Sequence, residues 1–506
     1  MLPDEYTDRT TLRIVIIGAG VAGLATAYGL QHLPGVHVRI LEKRDGEATA
    51  YCNKGNGADT VAEEESRQVG YPIHLAPAGR EALIKLLDSR DYITLLEAQR
   101  SLPGGHDGIT ILDSKGKIIW RVVQSPGEKS LILRRDLVEI LQGGLGQPRD
   151  ERGVAGQEIR SPVKVEYGRN VHWVRKVQQG WEVIMQDGEA IFCNLLVGAD
   201  GMFSVVRRTL YPHPQANDHH RLDALRWSIV NFRTRSLAVR RWVRNEDGMN
   251  MICGKGWSAA YTLLRGAARL PGCKDDEEGV VADISVQGHS HAPEHDPTPL
   301  SSAEQDEASS PTPSLCSTLQ EMPDDTPDGC YVALTIPHPT ASLRDFISAL
   351  PESKTPGSFL SALLADPAFH DGRVFPLRTS RRTCTGVHRA VLIGDASHGM
   401  VPYCGAGASS ALRDASHLVS LVQNHTMLRG NIDFLLDEFY ARQREFNDPL
   451  IARSRRIMEL SQGESFYKRI VRSLAFSTME VGERCSGKRR AAERKLARWR
   501  DEELGR

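Results

Sequence analysis

The sequence contains no cysteines at the spacing of a metal site or a small disulfide scaffold. Its nine cysteines show no C-x-x-C pair and no metal-ligand spacing with histidine. This usage is typical of a reducing compartment, where buried thiols stay free. We therefore predict no metal. His289, His291 and His295 are candidate ligands, but we interpret them as solvated, because a flexible polar loop offers no closed geometry.

Long hydrophobic runs and an excess of one charge are missing as well. The longest apolar stretch, Leu12–Leu30, contains four glycines, follows a charged start and has no signal-type cleavage site. We therefore expect no stable membrane insertion, no secretory signal and a cytoplasmic location. The formal net charge of -1 at pH 7 gives no attraction to nucleic acid, and it leaves the oligomeric state open.

A strand, a glycine-rich turn and a helix open the chain. The apolar run Leu12–Ile17 leads into Gly18, Gly20 and Gly23, and a helix-like segment follows over Leu24–Leu33. In this G-x-G-x-x-G pattern the first glycine allows the tight turn, the second admits a pyrophosphate, and the third lets helix and strand pack closely. The free N–H groups at the start of the helix would face the phosphates.

The next strand supports the same interpretation. Val36–Leu41 ends in Glu42, which lies at the distance expected of an acid that accepts hydrogen bonds from ribose hydroxyls. An ordinary glycine-rich turn is the alternative, but the strand, the helix and the acid together favour an adenine dinucleotide. Because Glu42 would repel a 2′-phosphate, FAD or NAD fits this site better than NADP.

Two further apolar strands end in acidic turns. Leu195–Leu210 contains an Asp-Gly turn at Asp200. Val391–Ile393 is followed directly by a Gly-Asp pair that contains Asp395. A helix is predicted to begin within 405–409. A partly buried helix start can stabilise an anion by about 2 kcal/mol, so this segment suits a negatively charged group.

In order, these three segments resemble the FAD-dependent aromatic monooxygenases, the single-component hydroxylases similar to para-hydroxybenzoate and salicylate hydroxylases, of the type found in fungal secondary metabolism. The resemblance covers nearly the whole chain outside one insertion. It implies an α/β fold, with a Rossmann-type (GR2-like) FAD-binding domain, an inserted antiparallel β-sheet substrate domain and C-terminal helices.

The resemblance also implies a set of cofactor-binding residues. Asp200 would serve both FAD and a visiting nicotinamide, and Asp395 would bind the ribityl chain. Ala406 stands where many relatives carry glutamine, which changes the details of flavin positioning. The remaining residues are those at the ADP half of FAD (Gly18, Gly20, Gly23, Glu42), the arginine that approaches the cofactor (Arg134), the isoalloxazine lining (Pro402, Gly405, Gly407, Ala408) and a glycine before the second helix (Gly70).

The implied reaction is a monooxygenation. NADPH or NADH would reduce FAD, oxygen would be captured as a flavin peroxide, and one oxygen atom would hydroxylate or epoxidise an aromatic, polyketide, terpenoid or indole-type molecule. No second G-x-G-x-x-G is present, so the nicotinamide would bind transiently. The alternatives are a flavin reductase or halogenase, although the halogenase motif W-x-W-x-I-P is absent, and a non-catalytic FAD-binding protein.

The predicted organisation has four parts. Residues 1–205 form the first part of the FAD-binding domain, including hairpins over 109–122 and 171–185, and residues 386–430 form its second part. Residues 206–385 form the substrate domain, with strands over Leu225–Phe232, Met249–Cys253, Ser258–Leu264 and Tyr331–Ile336. A polar, proline-rich insertion at about 275–328 is predicted to be disordered. Residues 431–506 form a helical region with a basic tail, with helices at Phe434–Phe446 and Pro449–Leu460.

Four residues are weighed for chemistry outside cofactor binding. A phenolate or carboxylate substrate needs a cation, for which Arg226 is the candidate, and Tyr261 is the candidate proton donor. His398 is predicted to pack or cap a helix rather than to act as a base. Cys404 is predicted to be a small buried thiol rather than a covalent link to flavin.

Overall fold

The computed structural model describes residues 11–45, 71–100, 108–122, 131–147, 163–212, 221–246, 248–264, 329–338, 342–370, 372–428 and 431–463. Gly70, the insertion at about 275–328 with its histidines, and the basic tail lie outside the described residues. All described residues belong to one structural unit, so the structure does not divide them into the four predicted parts. The boundaries of those parts stay a prediction.

A five-stranded sheet carries the predicted dinucleotide turn, and all of its strand pairs are parallel. Its order is β17-β11-β1-β2-β7, with β1 Leu12–Ile17, β2 Val36–Leu41, β7 Val165–Glu166, β11 Leu195–Gly198 and β17 Ala390–Leu392. Parallel strands end at one edge, so the turns after β1, β2, β11 and β17 meet there. Glu42, Asp200 and Asp395 all lie in these turns.

Helices cover this sheet. Close packing is visible where α1 (Val21–Leu30) contacts α11 (Gly407–Leu428), because a Cβ on Gly29 would lie 2.6 Å from Val419 Cγ2. Gly79 of α2 (Pro77–Leu86) likewise packs against Ser409 of α11, since a Cβ on Gly79 would lie 2.7 Å from Ser409 Oγ. These helices are α1 Val21–Leu30, α2 Pro77–Leu86, α3 Ser89–Arg100, α4 Arg134–Gly143, α5 Val205–Leu210, α10 Asp395–His398 and α11 Gly407–Leu428.

Two small antiparallel sheets flank this unit. The first has the order β10-β9-β8, with β8 Val171–Val177, β9 Gly180–Met185 and β10 Ala190–Cys193. It contains the hairpin that was predicted over 171–185. The second pairs β3, Pro72–His74, with β6, Leu131–Leu133, and it brings the start of α4 next to Tyr71.

A seven-stranded sheet of order β16-β12-β15-β14-β13-β4-β5 faces the turns of the parallel sheet. Its strands are β4 Ile109–Asp113, β5 Ile118–Val122, β12 Leu222–Thr234, β13 Met249–Cys253, β14 Ser258–Leu264, β15 Gly329–Pro337 and β16 Arg373–Ser380. It is antiparallel except for the parallel pair β13–β4. The hairpin over 109–122, predicted as part of the FAD-binding domain, instead extends the edge of this sheet, because β4 pairs with β13.

Alternation along the strands gives this sheet two different faces. On one face, Val332, Leu334 and Tyr261 are buried in an apolar core with Phe359. That core is covered by three short helices, α7 Leu343–Ser348, α8 Phe359–Leu364 and α9 Pro367–His370, and α6 Leu237–Arg240 lies beside it. The opposite face carries Ser258 and Met251 toward Tyr403, and we call it the cleft face.

One long helix, α12 (Ile432–Gln462), replaces the two helices predicted on either side of Pro449. Proline removes one backbone hydrogen bond and usually kinks a helix, which is why a break was expected. Pro449 is exposed, so water can reach the freed carbonyl. Buried Asn447 and Ile451 on either side pack into the same body, so the two halves stay in line.

No helix in the described part of the chain is both long and apolar enough to cross a membrane. The described residues also contain no group of three or more His, Cys, Asp and Glu side chains that could hold a metal ion.

Candidate cofactor site

The glycine-rich turn after β1 has no room for side chains. Gly18 has a φ of +103°, and a Cβ there would lie 2.5 Å from the carbonyl oxygen of Ala199. A Cβ on Gly23 would lie 2.0 Å from the carbonyl oxygen of Gly18. Gly18 therefore requires glycine for its positive φ, and both Gly18 and Gly23 require it because the neighbouring backbone is so close. The sequence pattern predicted both requirements.

The start of α1 is open to an anion. Gly20 occupies the N-cap, no side chain caps the helix, and its first turn contains no acidic residue. A Cβ on Gly20 would meet only the guanidinium of Arg134, whose Nη2 is 4.0 Å away. Free N–H groups and a cation thus face the same space, an arrangement that suits a pyrophosphate.

Glu42 ties the glycine-rich turn to the end of β2. Its Oε2 accepts from Ala19 N at 2.9 Å, and its Oε1 accepts from Arg44 N at 3.1 Å and Arg44 Nε at 3.0 Å. Burial opposes ionisation of this carboxyl, but the Arg44 side chain and the Ala19 N–H outweigh it and lower the pKa of Glu42. Glu42 is therefore a carboxylate at neutral pH, beside the turn where a ribose would lie.

Asp200, after β11, organises the start of α5. Its Oδ2 accepts from Val205 N at 2.6 Å and from Val206 N at 3.3 Å. Burial raises the pKa of this carboxyl, against the lowering effect of these N–H groups. The neighbouring Gly201 has a φ of +78°, and its Cβ position has no atom within 4 Å. Asp200 thus shapes a turn that is open on one side.

Asp395 begins α10, directly after Gly394, whose φ of +57° turns the chain at the end of β17. Protein surrounds the Asp395 carboxyl, and this enclosure raises its pKa against the charges of His398, Arg134 and Arg207. Its side chain is nevertheless open to solvent. A side chain that is both enclosed and accessible lines a cleft.

Tyr71 lies in the same cleft. Its side chain is 45% exposed although protein encloses it, and its titration is influenced by Arg134 and Asp395. Its backbone carbonyl accepts from Arg134 N at 2.9 Å, which fixes the start of α4 beside it. Arg134 thus lies between Gly20 on one side and Tyr71 and Asp395 on the other.

The segment between α10 and α11 follows Asp395 in the chain. Pro402–Cys404 forms one turn of 3₁₀-helix, Gly405 follows with a φ of +58° against His74, and α11 begins at Gly407 within the predicted window. The Cβ position of Gly407 has no atom within 4 Å, so this helix start is also open. No acidic residue lies in the first turn of α11.

Ala406 and Cys404 turn toward the opposite side of that segment. Ala406 is buried in a small cluster with Met400 and Ile451, and the partly buried Cys404 packs against it. A glutamine side chain at 406 would not fit among these neighbours without repacking, which explains the alanine. The packing of Cys404 agrees with its predicted structural role.

His398 is fully buried and pairs with Asp414, with Nε2 and Oδ2 2.6 Å apart. The same Oδ2 accepts from Gly394 N at 3.1 Å and from Gln443 Nε2 at 3.0 Å. Burial opposes protonation, but the Asp414 carboxylate outweighs it and the pKa of His398 is raised. His398 therefore holds α10 against α11, in agreement with the predicted structural role.

The two candidates for substrate chemistry lie elsewhere. Tyr261 is buried in the apolar core on the far face of the seven-stranded sheet, and its hydroxyl donates to Trp242 O at 2.7 Å. The expectation that it is a proton donor is therefore wrong. Arg226 is exposed, and its guanidinium lies over the Trp227 ring, 5.2 Å from the centroid. A solvated cation of this kind does not provide the desolvated charge that an anion pocket needs.

Several residues of the cleft were missed by sequence reasoning. They lie on strands or turns that carry no motif of their own, so no local pattern marks them. The structure brings them to the cleft through long-range pairing of β3, β6, β12 and β15. They are Tyr71, His74, Asn231 and Tyr331.

A family model described as an FAD binding domain matches residues 11–265. The chain belongs to this family. The match contains the glycine-rich turn, Glu42, Arg134 and Asp200, and it confirms the expected cofactor, FAD.

Relatives extend the likeness beyond this region. The 2-heptyl-3-hydroxy-4(1H)-quinolone synthase of Pseudomonas aeruginosa (strain UCBPP-PA14) is 24% identical over 413 residues, or 81% of this chain and 80% of that protein. The FAD-dependent monooxygenase cle3 of Aspergillus versicolor is 24% identical over 474 residues, or 88% of this chain and 75% of that protein.

The fold matches solved structures over most of the chain. HpxO of Klebsiella pneumoniae, complexed with FAD and uric acid, has a TM-score of 0.59 at 15% identity, and the match covers 92% of each chain. The predicted fold class and the resemblance to FAD-dependent monooxygenases are confirmed by these findings.

Replacing Asp395 by alanine is expected to weaken FAD binding about 10- to 100-fold, the usual cost of losing a hydrogen bond to a charged group. Equilibrium titration of the apoprotein with FAD, followed by flavin fluorescence, measures this change. Asp437→Ala is the control, because Asp437 is an exposed carboxylate on α12. Equal FAD affinity in both variants would refute the assignment of Asp395.

The His398–Asp414 pair predicts a pH-dependent stability. The folded-state pKa of His398 lies above its ordinary value of about 6.5. The contribution of the pair to the free energy of unfolding is therefore complete below pH 6.5. It is lost as the pH rises through the folded pKa, with a slope of at most about 1.4 kcal/mol per pH unit. Urea unfolding from pH 6 upward should show this decline, and His398→Gln should flatten it; an unchanged slope contradicts the pairing.

Proposed function

We propose that this chain is an FAD-dependent monooxygenase that takes electrons from NADPH or NADH and inserts one atom of O₂ into a small aromatic or related metabolite. The observation that carries the proposal is a group of features that lie together. The open start of α1 meets Arg134, Arg134 and Asp395 both influence Tyr71, and Tyr403 joins the turn before α11 to the cleft face of the seven-stranded sheet.

FAD, when bound, supplies the electron transfer and the activation of oxygen. The open starts of α1 and α11 and the charge of Arg134 support binding of its phosphates and of negative charge on its ring. The residues that would hold it are Gly18, Gly20, Gly23, Glu42, Arg134, Asp200, Asp395, Pro402, Gly405, Gly407 and Ala408. Gly70 stays a sequence-based member of this set.

The substrate would lie between this site and the cleft face. Tyr331 and Asn231 lie on that face, since Thr335 reaches Tyr403 from it and side chains alternate along the paired strands. Tyr331 packs against the apolar side chains of Leu131, Leu133 and Leu264. A flat, largely apolar substrate fits these neighbours. One polar atom of the substrate would accept a hydrogen bond from the Tyr331 hydroxyl.

Two phenols are placed to donate hydrogen bonds to such a substrate. Burial raises the pKa of both Tyr331 and Tyr71, and the Tyr71 charge adds to the rise at Tyr331. Both hydroxyls are therefore protonated at neutral pH, and neither has a hydrogen-bond partner among the described residues. They would bind an acceptor oxygen or nitrogen on the substrate and stabilise negative charge that develops there.

The names of similar proteins favour a heteroaromatic substrate. One relative is named for a hydroxyquinolone product, and the structure of HpxO contains uric acid. Both molecules are flat rings with carbonyl oxygens, which agrees with an apolar wall and two phenol donors. The nicotinamide would bind transiently, because the sequence has one dinucleotide turn and that turn is assigned to FAD.

The proposal is tested with purified yellow protein, NADPH or NADH, ¹⁸O₂ gas and a panel of 4-quinolones, phenols, indoles and urate. Mass spectrometry should show a product that has gained one ¹⁸O atom, with the second atom in water. Boiled protein and ¹⁶O₂ are the controls.

The other outcomes discriminate between the alternatives. Nicotinamide oxidation that yields only hydrogen peroxide means that the substrate lies outside the panel. Reduced product without ¹⁸O identifies a reductase, and neither product nor nicotinamide oxidation contradicts the proposal and favours a non-catalytic FAD-binding protein.

Removing the Tyr331 hydroxyl, as in Tyr331→Phe, is expected to raise KM for the substrate about 3- to 10-fold, the usual effect of one lost hydrogen bond. FAD content should not change, since the ring and its apolar contacts remain. Steady-state kinetics on the identified substrate measure this, with Tyr440→Phe as the control because that hydroxyl contacts the backbone of Ala390. An unaltered KM would remove Tyr331 from the substrate pocket.

A further inference from the structure

A buried polar network joins the turn Pro402–Gly405, which we call the flavin-side turn, to the seven-stranded sheet and to the end of α12. Tyr403 Oη lies 2.9 Å from Ser258 Oγ on β14. Gln462 Nε2, in the last turn of α12, donates to Tyr403 Oη at 2.8 Å and to Ser258 Oγ at 2.9 Å. Thr335, which pairs with Ser258 across the sheet, adds its hydroxyl to Tyr403. Three separate parts of the chain thus meet at one phenol oxygen.

The network is well sheltered from water. Ser258 and Gln462 are each 1% exposed, and burial raises the pKa of Tyr403 to about 12. The phenol is therefore neutral over the whole physiological range. Gln462 uses both amide hydrogens on Tyr403 and Ser258, so one of these two hydroxyls donates to the other. Removing any member would leave a buried partner unsatisfied.

The Tyr403 ring adds an apolar anchor to the polar one. On one side it contacts the cluster of Ile111, Met251 and Cys253, and on the other side the cluster that contains Val401 and Met458. Tyr403 therefore bridges two apolar clusters on the cleft face, and its hydroxyl lies at their junction with α12.

The end of α12 is fixed to the sheet by a second bond. The carbonyl oxygen of Gln462 accepts from Gly256 N at 2.7 Å, in the turn between β13 and β14. Gly463 then ends the helix with a φ of +46°. Gln462 is thus held by its backbone as well as its side chain, and it forms a rigid donor for Tyr403.

The turn itself, Pro402–Gly405, has one long internal backbone hydrogen bond, from Gly405 N to Pro402 O at 3.4 Å. The side chain of Tyr403 links this turn to the sheet, through its hydroxyl to Ser258 and through its ring to Met251 and Cys253. Pro402 and Gly405, which flank it, are the residues assigned to the isoalloxazine ring.

We infer that Tyr403 is a positioning residue, which acts through Ser258 and Gln462 to set the distance between the flavin-side turn and the cleft face of the seven-stranded sheet. It does not need to touch the flavin for this role. The inference rests on the proposed function, because the ring to be positioned is that of FAD.

The test compares two variants that each lose one phenol hydroxyl, one on either face of the seven-stranded sheet. Tyr403→Phe removes the hydroxyl of the network, whereas Tyr261→Phe removes one from the opposite face. Both should lower Tm, because each leaves a buried polar partner unsatisfied. Only Tyr403→Phe should shift the visible absorption spectrum of the holoenzyme and speed FAD release on dilution, by about 3- to 10-fold.

Ser258→Ala keeps the inference testable if Tyr403→Phe folds poorly. It removes the partner of the phenol and should speed FAD release to a similar degree. The double variant should release FAD no faster than the faster single variant, since both changes break one network. Strictly multiplicative effects of the two changes would overturn the inference.

The possible failures can be told apart. A yellow wild-type protein whose Tyr403→Phe variant has the spectrum and FAD release rate of Tyr261→Phe overturns the positioning role alone. A wild-type protein that binds no FAD overturns the proposed function and this inference with it.

Discussion

A single buried carboxylate, that of Asp414, holds the parts of the site in place. One of its oxygens accepts from Gly394, His398 and Gln443, so the end of β17, the short helix α10 and the helices α11 and α12 meet there. Asp395 follows Gly394 directly, and its position in the cleft depends on this junction. A charge buried in this way is stable only while its partners remain, which couples cofactor geometry to the packing of the C-terminal helix.

Elements with local signals could be predicted from the sequence, and their partners could not. Leu12–Ile17, Met249–Cys253 and Ser258–Leu264 have the predicted bounds, because β-type runs between turn residues determine them locally. The hairpin over 109–122 was also recognised, but its pairing with β13 depends on residues far away in the chain. The continuity of α12 through Pro449 likewise depends on what both halves pack against.

The candidate site divides in the same way. The glycine-rich turn, Glu42 and Asp395 lie in motifs whose spacing carries the local geometry, so their positions at strand ends could be predicted. The substrate half depends on which face of a sheet turns inward. A period of two shows that Tyr261 and Ser258 point to opposite sides, but not which side meets the cofactor, and the choice of Tyr261 was wrong for this reason.

The parallel pair β4–β13 has a consequence for how the chain is made. During synthesis the hairpin of β4 and β5 leaves the ribosome long before Met249–Cys253 exists, so one edge of β4 must wait with its backbone groups unpaired. Such an edge can recruit a strand from another molecule. A fragment that stops before β13 would keep this edge open, and we expect it to aggregate.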